Sequence, residues 1–305
     1  MRYLVSKVVA AVVTFAIAVS LAVVLSNVGG DPVANLLGPL APKEQVEAER
    51  TALGLDRPLP VQIVSTLGNV ARGDLGTSLR YNESCWSIIE SRLPRSLELM
   101  IAAMLLGTFL GIPLGVVAAL RENSLLDRFT MTIALAGQSV PLYWLGMIAV
   151  LVFSVQLGWL PAGRAGGWTH LVLPAIVLAM LPMGRIARLT RASMSRVLDE
   201  DYILAARARG LSSFRTIVVH ALRNAALPVV TIIGLQAGVL ISGAVTVEVV
   251  FAWPGLGSLA VDAVSFRDFR LVQAIVIFGA FVFVTINLLV DLLYGVLDPR
   301  IRHAQ

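Results

Sequence analysis

The sequence predicts an all-α, polytopic membrane protein with six transmembrane helices and a small cap between the first and second. Three observations carry that prediction. Of 305 residues, 57% are hydrophobic and 14% charged, against about 25% charged in a soluble domain, and the mean hydropathy is +0.82. Apolar runs long enough to cross a bilayer as helix recur along the chain. Basic residues gather in alternate connections, which assigns the net charge of +5 to membrane topology rather than to nucleic-acid binding.

The first span is Val8–Val28, preceded by Arg2 and Lys7. Its apolar run exceeds the roughly 7–15 residues of a signal-peptide core, so it reads as a retained helix. Residues 29–96 follow as an insertion with turn signals ("GGDP", "LGLDRPLP", "RGDLGTS") and an amphipathic piece at Lys43–Leu53. A stretch of that length is expected to pack as a cap rather than to hang as a bare loop. The remaining spans are Leu97–Leu120, Phe129–Leu157, Leu171–Ile186, Pro228–Phe251 and Leu271–Leu297. Pro113, Pro141, Pro174 and Pro182 lie within spans and read as ordinary kinks. Residues 298–305 form a tail.

With the N-terminus inside, the inside segments hold Arg2, Lys7, Arg121, Arg128, Arg300, Arg302 and every arginine from Arg185 to Arg223. The short outside loops hold only Arg164, Arg267 and Arg270. Both termini are therefore expected in the cytoplasm. Cys85, the one cysteine, falls outside, excludes an internal disulfide and reads as a passive thiol.

Enzyme chemistry is sparse. Neither Lys7 nor Lys43 sits in a phosphate-binding G-x-x-x-x-G-K-[ST] loop, and no G-x-S-x-G elbow occurs. His170, His220 and His303 do not stand at metal-ligand spacing. Glu98, Glu248 and Asp291 are near span ends, where hydration or interhelical pairing competes with a substrate or gating role. Asn287 and Asp291 share a helical face and fit a polar seam. Gln138, Ser139, Gln236 and Glu248 are candidates for a wet substrate path, with packing between helices as the alternative.

Between the fourth and fifth spans, residues 187–227 interrupt the apolar pattern. "ARLTRASMSRVLDEDY" carries the fourth span onward with Arg188, Arg191 and Arg196. Asp199 is expected to cap a short helix of about ten residues, with Glu200 and Asp201 in its first turn and Arg207 and Arg209 in its last. Gly210 then serves as the residue after the helix, able to take positive φ. Ser212 caps a second helix bearing Phe214, Ile217 and Val218 at helical spacing. Ala205, Ala206 and Ala208 offer little area to bury in lipid, and with Leu211 they suit close approach of another protein; a helix resting on anionic lipid is the alternative.

Ala205-Ala206 with Gly210 resembles the EAA loop of binding-protein-dependent ABC importer permeases. Leu204 departs from it where the leading Glu belongs, and Arg223 where a Pro belongs. Resemblance to the dipeptide/oligopeptide branch of that family, and to its first (B-type) permease subunit, extends over nearly the whole chain. "LGLDRPL" at 53–59, "GDLGTSL" at 73–79, "LGIPLGVVAAL" at 110–120, "SVPLYWLG" at 139–146, "LGWLPAGR" at 157–164, "VFAWPGLG" at 250–257 and "LLVDLLYGVLDPRIR" at 288–302 carry it.

The resemblance implies a type I ABC importer permease (MetI-like) architecture in a bacterial cytoplasmic membrane, with residues 97–297 as the permease core. It implies import of di- or oligopeptides and no catalytic or metal site. It also implies no cofactor on this chain, ATP and Mg residing in partner ATPases. The partners implied are a second homologous permease subunit, two cytoplasmic ATPase subunits, an extracytoplasmic solute-binding protein and the bilayer. Asp201, Tyr202, Ala205, Ala206, Arg207, Arg209, Gly210, Leu211 and Ser212 would form the ATPase-coupling helix and its exit. Trp253, Pro254 and Gly255 would serve an outer gate or binding-protein dock, an ordinary surface turn being the alternative. The competing readings are an ion- or proton-coupled transporter acting without an ATPase, and a membrane scaffold.

Overall fold

The computed structural model describes residues 2–28, 42–52, 54 and 56–297. The expected tail 298–305 and the first part of the insertion, 29–41, lie outside the described residues. In order, the helices are α1 (Arg2–Val28), α2 (Lys43–Ala52), α3 (Leu59–Ala71), α4 (Cys85–Leu120), α5 (Leu125–Ser139) and α6 (Leu142–Ala149, continued as π-helix through Gln156). There follow α7 (Trp168–Leu198), α8 (Asp201–Ala208), α9 (Ser213–Arg215, a π segment Thr216–Ala221, then Leu222–Val250), α10 (Leu256–Ser265) and α11 (Phe269–Leu297). Among the described residues, five helices are long and apolar enough to cross a membrane, or six if the bent pair α5–α6 is one span.

Three spans differ from expectation. The third is not one kinked helix: α5 and α6 meet at 103°. Pro141 forces the residue before it away from helical geometry, and Val140 is extended at φ −92°, ψ 131°. The second begins at Cys85 rather than Leu97, because α4 continues through Glu90, Arg92 and Arg95 as a polar extension. The fifth does not begin at Pro228, which lies inside helix; a π segment, Thr216–Ala221, precedes it on the same helix.

The chain forms two compact units, one chiefly of residues 1–94 with 255–292, the other chiefly of 95–254. In the first, α1, α3 and α11 enclose Val19, Ala22 and Ile277, with Phe15, Leu67 and Val70 against them. A second cluster gathers Cys85, Ile88 and Ile89 with Leu259, Ala263, Leu271 and Phe278. The described part of the insertion carries α2, α3 and the contacts that follow. Thr77 and Ser84 pair as an antiparallel bridge, and the buried Asp268 carboxylate accepts from the Ser78 hydroxyl and the Leu79, Arg80 and Leu271 amides. The Arg80 guanidinium lies 3.2 Å from the centroid of the Phe266 ring.

In the second unit α7 is the axis: its apolar window is 61% buried, against 17–22% for the other four long spans. Leu99, Leu173, Leu178, Leu240, Val247 and Trp253 form the core around it. Glycines on α4 let the backbones approach. A Cβ at Gly107 would meet Pro182 at 2.7 Å, one at Gly111 the Met183 carbonyl at 2.8 Å, and one at Gly115 would overlap the Ala187 carbonyl. These three, four residues apart, lie on one helical face, the small-residue spacing that membrane helices use for close contact.

Candidate docking helix and polar seam

α7 delivers the chain to α8 through a tight corner. Asp199 ends α7 in helical geometry at φ −88°, ψ −4°. The N-cap of α8 is therefore Glu200 rather than Asp199, extended at φ −73°, ψ 142° and without a side-chain capping bond. Asp201 in the first turn and Arg207 in the last still match the helix dipole. The exit is a Schellman motif: the Gly210 amide donates to the Arg207 carbonyl at 2.9 Å and the Leu211 amide to the Ala206 carbonyl at 3.3 Å. Gly210 takes φ +76°. Ser212 caps α9, its hydroxyl accepting from the Arg215 amide at 3.4 Å.

α8 presents two faces. Ile203 is fully buried with Ala119 of α4, Met194 of α7, and Ala221 and Ala225 of α9, with Val197 and Leu198 packed beside them. A displacement of α8 therefore bears on the ends of three helices at once. Asn224 donates to the Tyr202 hydroxyl at 2.8 Å and ties the helix to α9. On the opposite face Leu204 is 69% exposed, with Asp201 and Ala205 also exposed; Arg207 on the flank and Arg209 and Gly210 at the exit are exposed as well.

Two residues depart from expectation. Ala206 is turned inward and buried, because it lies one turn from Ile203 on the same face. Phe214 was expected on an apolar face with Ile217; it is 75% exposed, while Ile217 packs into the Ile203 cluster.

Toward the middle of α7, three arginines at helical spacing each reach a different partner. Arg185 donates to the Gln236 side-chain carbonyl of α9 at 3.0 Å, and Arg188 to that of Gln138 of α5 at 2.9 Å. Arg191 grips both oxygens of the buried Asp127 carboxylate at 2.7 Å, with Glu122 at 3.7 Å. These anchors were not legible as such, though arginines recurring every third residue in an apolar helix are a visible signal.

Of the expected path residues, two lie on α5 and two on α9. Gln138 and Ser139 stand at the α5–α6 break, Ser139 exposed and bonded to the Leu135 carbonyl. Gln236 and Glu248 are buried among this chain's own helices. The Ser96 hydroxyl donates to Glu248 at 2.6 Å.

The expected outer dock is likewise internal. Trp253 is fully buried; its indole donates to the Arg95 carbonyl and its amide to the Glu248 carbonyl, each at 2.8 Å. Gly255 is buried and Pro254 half-buried, so within "AWPGLG" it is Ala252 that stands exposed up to that glycine, at φ +48°. Through Trp253 this turn is tied to α4 and α9. Cys85 is buried, which fits a passive thiol, and no group of His, Cys, Asp or Glu suited to hold a metal occurs among the described residues.

Two family descriptions match the chain: "Binding-protein-dependent transport system inner membrane component" over residues 111–303, and the N-terminal membrane component of such systems over residues 1–100. The chain is 44% identical over 303 residues to the di/tripeptide transport system permease protein DppB of Pseudomonas aeruginosa (strain UCBPP-PA14). It is 41% identical over 306 residues to the dipeptide transport system permease protein DppB of Escherichia coli (strain K12), and 43% over 274 to the glutathione transport system permease protein GsiC of that strain. Each alignment covers 90% of both chains. The fold is similar to that of the MetNI methionine ABC transporter in inward-facing form, with a TM-score of 0.59 at 16% identity, covering 69% of this chain and 96% of that one. An amino acid ABC transporter gives 0.54 at 18% identity, over 68% and 92%.

Proposed function

The chain belongs to the family of binding-protein-dependent transport system inner membrane components, and from that premise we propose how it works as a peptide permease. It is a multi-pass membrane subunit of an ABC importer for di- or oligopeptides, in line with relatives named for dipeptides, di/tripeptides and glutathione. The observation that carries the mechanism is α8: a short helix, sharply ended at Gly210, exposed on one face and seated through Ile203 on three helices.

In the proposed orientation both termini and α8 face the cytoplasm, and the cap containing α2 and α3 faces outside. Two ATPase subunits dock beneath, one of them on the exposed face of α8. A second homologous permease subunit completes the pathway and a solute-binding protein delivers peptide from outside. This chain contributes no ATPase site; ATP and Mg bind the partner ATPases. When the ATPase pair closes, α8 is displaced, and because Ile203 packs with Ala119, Met194 and Ala221 the displacement reaches α4, α7 and α9 together. Asn224 on Tyr202 and the Schellman exit keep α8 from swivelling independently. Packed elements switch between discrete arrangements rather than deform smoothly, so a small shift at α8 rocks the helices between inward-open and outward-open states.

The test is peptide uptake in liposomes. The full assembly should take up dipeptide only with ATP, the ATPase subunits and the binding protein. Uptake by this chain without an ATPase, driven by a proton gradient, would replace the reading with secondary transport.

A further inference from the structure

Arg185 and Arg188 are cations without a carboxylate partner among the described residues, on a helix that is otherwise apolar for most of its length. Arg191, one turn further on, has Asp127. Counting about 1.5 Å of rise per residue, Arg185 lies about 9 Å deeper in the bundle than the Arg191–Asp127 pair. An uncompensated charge at such depth is costly against lipid, and intramembrane arginines characteristically face a bundle interior or a watered cavity.

Two features argue against arginines that merely reach back to the headgroups. Each guanidinium is held by a neutral side-chain carbonyl from a different neighbouring helix, Gln236 of α9 and Gln138 of α5. A glutamine carbonyl orients a guanidinium and leaves its charge unneutralised. The glycine at 184 makes the room: a Cβ there would overlap the Gln138 amide. Furthermore, Arg185, Arg188, Ala192 and Arg196 are all exposed and stand three and four residues apart, so one open stripe runs along α7 toward the docking helix.

The geometry points to Arg185 and Arg188 as an anion-binding rung in the cytoplasmic half of the translocation path, taking the C-terminal carboxylate of a passing peptide. This rests on the reading of the chain as a peptide permease. A free carboxylate is the one group that every unmodified linear peptide carries whatever its side chains, and guanidinium forks suit it bidentately. Two cations about one turn apart pass the carboxylate along without trapping it, and Gln236 and Gln138 are the positioning residues.

The test uses the complete importer in liposomes, with alanyl-alanine and its C-terminal amide as probes and the binding protein saturated with each. The Arg185→Gln/Arg188→Gln variant should lose about ten-fold or more in uptake of the free acid, a charge-assisted contact being at stake. Uptake of the amide should stay within about two-fold, and Arg188→Lys should retain part of the preference for the acid. Parallel loss for both probes overturns the assignment; failure of the second permease subunit to copurify would then identify the arginines as an interface. Unchanged uptake of both also overturns it. If the unmodified importer moves neither probe, the peptide-permease reading itself has failed, a result that does not depend on the variants.

Discussion

Arg191 binds Asp127 through two hydrogen bonds of 2.7 Å, a bidentate fork between the C-terminal stretch of α7 and the first turn of α5. Asp127 is also fixed from its own side, accepting from the Asn123 amide, while Ser124 caps the helix by accepting from the Asp127 amide. The α4–α5 corner is thereby clamped to the helix that leads directly into α8. Asp127→Asn should lower stability by about 1.5–3 kcal/mol, the usual worth of a hydrogen bond to a charged group. Arg191→Lys should retain only part of the pair's stabilisation, since an ammonium cannot reproduce the fork. Thermal unfolding of the purified subunit in detergent checks both.

Gly210 has nothing within 4 Å of where a Cβ would stand, yet its φ is +76°. The constraint is conformational and not steric crowding. Gly210→Val should cost about 1–2 kcal/mol of local strain and distort the α8 exit. Membrane insertion should persist while ATP hydrolysis uncouples from uptake. Gly210→Asn, which tolerates that conformation, should transport nearly as well as the parent. Equal transport by both variants would sink the proposed role of the turn.

Gly115 makes the opposite case. A side chain there would run into the Ala187 carbonyl and the Thr190 Cβ, so Gly115→Val should destabilise by about 1–3 kcal/mol through overpacking of α4 on α7. Gly279 of α11 has no atom within 4 Å of a Cβ, and Gly279→Ala should be neutral or stabilising by up to about 1 kcal/mol. Comparing the yield of folded protein and the unfolding temperature of the two variants separates contact from composition.

Trp253→Phe should lose about 1 kcal/mol, the worth of its buried bond to the Arg95 carbonyl. Trp253→Ala should lose about 3–5 kcal/mol by opening a cavity. Affinity for the solute-binding protein should be unchanged in Trp253→Phe, because the indole is buried within its own unit. A large drop in that affinity with stability intact would return the residue to a docking role.

Much of this was readable from residue order. Runs of apolar residues located the spans, and charge order with Gly210 located α8 and its exit. What failed did so for local reasons. Pro141 and Pro174 look alike in sequence, yet Pro174 is accommodated within α7 and Pro141 breaks the span at 103°. The expected start of the second span at Leu97 left Glu90, Arg92 and Arg95 in the insertion, but they lie on a helix that begins at Cys85. Gln236, Glu248 and Trp253 were read from polarity or turn context as facing a path or a partner. Their burial depends on which helices close over them, and linear spacing does not encode that. Cross-helix pairs such as Arg191–Asp127, 64 residues apart, are tertiary facts for the same reason.

The central claim is that the exposed face of α8 receives an ATPase subunit, and site-directed cross-linking tests it most directly. Cys85 is buried, so a Leu204→Cys variant adds one accessible thiol at a position 69% exposed. In the assembled importer a short bifunctional maleimide should join residue 204 to an ATPase subunit. An intact, ATP-hydrolysing assembly in which residue 204 reacts freely with reagent but forms no ATPase adduct would contradict the account.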